Sequence, residues 1–172
     1  MLKNIIKKKR QQGFTIIEVM IVLAIAGLIL VVVLVAVPQL QRNQRNSARQ
    51  SILARISAEI GSYAGNNGGS LPAASTADAA GSFGATATPA QSNSFVGRYL
   101  ASININDPST GSSVDFVAED GVITPPGQGI VRYVLSAECG ADGAMTALPG
   151  QNRKYAIAIG LESGRAYCID NK

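Results

Sequence analysis

Hydrophobic and polar positions divide this chain into three regimes. Residues 19–37, VMIVLAIAGLILVVVLVAV, carry no charge, no Asn or Gln and no Pro. At a rise of about 1.5 Å per residue the run makes a helix of roughly 28 Å, close to the ~30 Å hydrocarbon core of a bilayer. It is long enough to span. From residue 39 the sequence turns polar but keeps a helical period: Ile52, Ile56 and Ile60 recur every four residues, and Leu53 and Tyr63 fall on the same face. This apolar stripe, about 100° wide, requires a cover. Arg42, Arg45 and Arg49 continue that face toward the apolar run. The cover is therefore expected to start near Ile52, leaving the three arginines at headgroup level, with contact to DNA or to a partner as their alternative role.

The helix is expected to end near residues 61–65, where Gly-rich sequence begins. Residues 64–94 are dominated by Gly, Ala, Ser and Thr with one charge, Asp78, too few large apolar groups for a core, and read as a surface loop. A short helix over 95–102 and a turn at 106–109 follow. Residues 114–117, 130–137, 154–159 and 165–169 are β-branched or aromatic with partial alternation, separated by turn signals, and the last two form a hairpin. The fold class is α+β: a long N-terminal helix, transmembrane and then amphipathic, packed against a C-terminal antiparallel sheet of about four strands.

Two features set the apolar segment apart from a plain anchor. Glu18 stands among Ile16, Ile17, Val19 and Met20, and a carboxylate near a span is retained for a partner or for function, or reaches for the headgroups. Gly13-Phe14 divides a basic leader, MLKNIIKKKRQQG, from the apolar run, and a small residue at such a boundary lets a protease approach the backbone. Gly27 and Pro38 are weak points within the helix, and Pro38 is expected to bend or locally break it.

Charge refines this picture. The formal net charge is +4, from 15 basic and 11 acidic residues. Five cations (Lys3, Lys7, Lys8, Lys9, Arg10) lie in the leader, so a chain cut after Gly13 has a side-chain charge of 10 − 11 = −1. No nucleic-acid contact follows from it. The leader cations instead favour an N-terminus held in the cytoplasm. A cleaved secretory signal fits less well, because the apolar run exceeds the ~7–15 residues of a signal core.

A Lys/Arg-rich leader ending in Gly13, then Phe14-Thr15-Ile16-Ile17-Glu18 and an uninterrupted apolar run, resembles the N-terminus of a type IV prepilin with its class III signal peptide. The resemblance covers about residues 7–37. It implies cleavage between Gly13 and Phe14 by a prepilin peptidase, N-methylation of Phe14, and pairing of Glu18 with the Phe14 amine of a neighbouring subunit. It implies further that Gly27 and Pro38 let the helix melt or curve in a filament. The domain plan becomes a cleaved leader (1–13), a transmembrane and filament-core helix (14–37), an amphipathic spine (38–63), a loop-rich connection (64–113) and a sheet with a disulfide loop (114–172). Cys139 and Cys168 are the only cysteines, and the resemblance matches them to the C-terminal disulfide loop of many pilins; two buried thiols are the alternative.

The expected function is the structural subunit of a type IV pilus serving motility, adhesion or DNA uptake. Its partners are further copies of itself in a helical filament, the peptidase, and the cytoplasmic membrane with the pilus assembly machinery. It is single-pass in that membrane before assembly and extracellular afterwards. A pseudopilin of a type II secretion or competence system and a signal-anchored extracellular binding domain are the alternatives. No enzyme is expected: the chain has no His, which removes imidazole catalysis, and no phosphate-cradling Gly motif. No cofactor or metal is expected. Asp115, Glu119 and Asp120 form an acidic group without EF-hand spacing, read as solvated charges rather than as a calcium site.

Overall fold

In a computed structural model of the chain, residues 13–72, 95–100, 103, 105–112, 114–118 and 124–172 are described. The leader cations, most of the Gly/Ala/Ser-rich segment, and Glu119 and Asp120 of the acidic group lie outside these residues. The chain divides into two units, Met1–Gln41 and Arg42–Lys172.

Helix α1, Ile16–Asn66, includes all of the apolar run and the amphipathic stretch. It is uninterrupted at Pro38, where the missing amide removes one intrahelical hydrogen bond while the residues on either side remain helical. The helix ends in a Gly-rich turn in which Gly68 and Gly69 take φ of +63° and +84°, conformations open to glycine at little steric cost. In the N-terminal unit every large apolar side chain from Phe14 to Leu40 is at least 41% exposed. By length and composition this helix can cross a membrane.

The second unit is built on the amphipathic half of α1. Among the described residues six strands follow: β1 (Asp115–Ala118), β2 (Ile130–Leu135), β3 (Ala137–Cys139), β4 (Met145–Ala147), β5 (Tyr155–Gly160) and β6 (Ala166–Asp170). They form a four-stranded sheet in the order β1-β2-β5-β6 and a separate β3-β4 hairpin. The α+β class and the strand count of the main sheet are as expected. The sheet is antiparallel from β2 through β5 to β6, with β1 added at the edge in parallel to β2. A π-helical turn at Val96–Leu100 occupies the place of the expected short helix.

Alternation along the strands separates two apolar layers. Val131 and Tyr133 of β2 and Tyr155, Ile157 and Ile159 of β5 pack with Ile52, Leu53, Ile56 and Ile60 of α1. The isoleucine stripe is thus the buried face of the helix. Each fully buried Ile contributes about 1.5–3 kcal/mol relative to exposure. The opposite face presents Val134, Ala156, Ala158 and Ala166, which pack with Ala137 and Met145 of the hairpin. Small residues are what this face requires, because a second layer lies close upon it. Both faces of β5 are covered, and all six of its residues are buried.

Candidate functional site

Two constellations of polar side chains carry information beyond packing. The first is at the start of α1. Thr15 caps the helix: its hydroxyl accepts from the Glu18 amide at 3.4 Å, and Glu18 reaches back so that Oε2 accepts from the Thr15 amide at 2.9 Å and from the Thr15 hydroxyl at 2.7 Å. This is a capping box, in which residues N-cap and N3 satisfy each other's amides. Amides of a first helical turn have no intrahelical acceptor and cannot be left bare in an apolar medium. The Glu18 carboxylate also sits where the helix dipole favours negative charge.

The Gly13-Phe14 peptide lies immediately outside this helix start, in non-helical backbone. Phe14 is 90% exposed, and a Cβ added to Gly13 would meet nothing within 4 Å. Gly13, Phe14 and Glu18 therefore occupy one end of α1. Gly27 lies farther along it with open space around its Cα, and Pro38 is inside the helix.

The second constellation lies in the Arg42–Lys172 unit, on the helix face assigned above to headgroup level. That assignment is corrected for two of the three arginines. Arg49 is fully buried: its Nε and Nη2 donate to Asp107 Oδ2 at 2.7 Å and Oδ1 at 3.1 Å, and Nη2 donates to Ser109 at 2.8 Å. Arg45 makes a two-pronged ion pair with Glu162 in the β5–β6 turn, and Asn46 Oδ1 accepts from the Glu162 amide at 3.0 Å. Arg42 remains exposed. The cover thus begins at Arg45 rather than Ile52.

The turn at 106–109 delivers the counter-charge for Arg49, a role that its turn pattern does not encode. Asp107 accepts from the Ser109 amide at 2.8 Å and from the Ser109 hydroxyl. Burial pushes its carboxyl upward, but the hydrogen bonds from Arg49 and Ser109 and the charge of Arg49 outweigh this and hold it well below the usual carboxylate range. Glu162 is also lowered, first by its hydrogen bonds from Arg45 and then, against its desolvation, by the charges of Arg45, Arg49 and Arg42. At the end of β5, just before the turn that carries Glu162, another segment runs close: a Cβ on Gly160 would lie 2.1 Å from the Gly127 carbonyl oxygen.

Cys139 of β3 and Cys168 of β6 form a disulfide with a sequence separation of 29. It ties the hairpin to the edge of the main sheet, where the Cys139 amide also donates to Asp170 at 2.9 Å. Next to it a Cβ on Gly143, at φ +77°, would lie 2.0 Å from the Ala166 carbonyl oxygen. Among the described residues no group of three or more acidic or cysteine side chains is placed to hold a metal ion.

A helix that is capped by its own acid, is long and apolar enough in its first half to cross a membrane, and packs its second half under a sheet fits a membrane-anchored class of protein. Residues 8–34 match the family model for the prokaryotic N-terminal methylation motif. That motif is the class III signal peptide of type IV pilins, and its match supports a pilin-like or pseudopilin-like precursor. No curated protein and no solved structure matches the chain.

Thr15 is the residue that the sequence reading passed over at the motif. Its signal was available, since Thr-x-x-Glu ahead of an apolar run is a capping-box pattern.

Proposed function

We propose that this protein is the subunit of a type IV pilus. It is held in the cytoplasmic membrane by α1 with its N-terminus inside, cut after Gly13 by a prepilin peptidase, N-methylated on Phe14, and polymerised into an extracellular filament. The observation that carries this reading is the methylation motif at residues 8–34 heading a helix whose large apolar side chains from Ile16 to Leu40 are all exposed. An apolar surface of that length has two stable environments, lipid and the same surface of other copies. Transfer from one to the other changes little in hydrophobic energy. Selectivity must come from a polar contact, and Glu18 with the amine freed at Phe14 supplies one of opposite charge. Gly27 and Pro38 give the helix places to adjust its course during packing.

The work of such a protein is assembly, and its role follows from its partners: further copies, the peptidase and the assembly machinery. A pseudopilin of a secretion or competence system has the same N-terminal chemistry. The C-terminal loop closed by Cys139 and Cys168 supports the pilus reading. The test is Glu18→Ala in cells that make the fibre. The variant should insert in the membrane in normal amount and be missing from sheared filaments; normal piliation would sink the proposed pairing.

A further inference from the structure

We propose that Thr15 is a positioning residue for assembly, holding the Glu18 carboxylate in the geometry that receives the neighbour's amine. The proposal rests on the reading of Glu18 as the docking acid. A glutamate side chain on a helix surface has three rotatable bonds and samples many orientations. Here Oε2 is held twice, by the Thr15 amide at 2.9 Å and the Thr15 hydroxyl at 2.7 Å. Among the described residues every hydrogen bond to this carboxylate ends on Oε2. Oε1 keeps its acceptor capacity for an incoming ammonium group.

The hydroxyl does more than cap a helix. It donates to the carboxylate while accepting from the Glu18 amide at 3.4 Å. Serine can replace it in both roles. Aspartate caps a helix about as well as Ser or Thr, but it cannot donate to a carboxylate and places a second negative charge beside it. Valine keeps the shape and loses the hydrogen bonds. These three substitutions therefore separate positioning from helix capping. The held carboxylate also keeps two donors and the helix N-terminus with it while the subunit waits in the bilayer, which lowers the penalty of storing an acid there.

The experiment expresses full-length Thr15→Ser, Thr15→Asp, Thr15→Val and Glu18→Gln chains in a host that assembles the fibre. It measures membrane-inserted protein, cleavage after Gly13 and sheared filament mass. Thr15→Ser should assemble like wild type. Thr15→Asp and Thr15→Val should be inserted and cleaved, yet yield filament mass reduced by about tenfold or more, the factor that one hydrogen bond to a charged group carries. Wild-type filament mass from Thr15→Val or Thr15→Asp, with Glu18→Gln defective, overturns the proposal and leaves the Glu18 pairing standing. Loss of cleavage in both variants overturns it too, since the hydroxyl would then serve the peptidase. Wild-type filaments from Glu18→Gln remove the pairing and this proposal together.

Discussion

Arg49 of α1 and Asp107, 58 positions later in sequence, meet as a two-bonded ion pair with 0% and 3% of their side chains exposed. Two charges withdrawn from water gain little net stability from each other, but removal of one leaves the other buried and uncompensated. Asp107→Ala should therefore destabilise the head by about 3–5 kcal/mol. Arg49→Ala should act similarly, whereas replacing both residues with apolar ones of similar volume should cost less than either. Thermal unfolding of the full chain in detergent, followed by circular dichroism, measures this; an unchanged midpoint for Asp107→Ala would remove the pair from the account.

The same cluster sets a pH dependence. Asp107 and Glu162 both have folded carboxyls lowered from their ordinary values. Above about pH 5.5, clear of the usual carboxylate range, folded and unfolded chains are both almost fully ionised at these groups and the stabilisation is complete. As pH falls below that value the unfolded chain takes up protons that the folded one resists, so stability declines. Unfolding midpoints between pH 7 and pH 2 should fall less steeply below pH 4 in Asp107→Asn than in the wild type. Parallel curves would mean that Asp107 titrates normally.

Reduction of the Cys139–Cys168 bond, or Cys168→Ser, should lower stability by roughly 3–4 kcal/mol in the chain-entropy view of a loop of about 30 residues. The loss should fall first on the β3-β4 hairpin and on the alanine face of the sheet that it covers. Hydrogen exchange should rise at Ala137, Cys139 and Met145 before it rises at Ile157. Gly143→Ala should loosen the same hairpin with the disulfide intact, because its Cβ would lie 2.0 Å from a backbone oxygen at a φ of +77°. Uniform exchange across the head would contradict a separately held hairpin.

What was legible in the sequence was what local pattern encodes. The apolar run, the acid at Glu18 and the Gly13-Phe14 boundary are contiguous, and the Ile52/Ile56/Ile60 stripe declares a buried helix face by its period alone. Arg45 and Arg49 were misplaced because a helical wheel gives a face and not its cover. Their counter-charges, Glu162 and Asp107, come from turns 117 and 58 residues away. The β3-β4 hairpin was missed because each strand has three residues, too few for alternation to register, and the Gly-rich turn between them reads as loop. The parallel course of β1 was hidden for a related reason: turn signals between residues 118 and 130 suit a hairpin as well as a crossover.

The most direct measurement is the intact mass and N-terminal fragment sequence of the mature protein from a host that makes the fibre. The account predicts a chain that begins at Phe14, carries one added methyl group on its amine and retains the Cys139–Cys168 bond. A mature chain that still contains Lys3 to Arg10, or one cut near Ala36, would contradict it and leave a tethered head with no role for Glu18 in assembly.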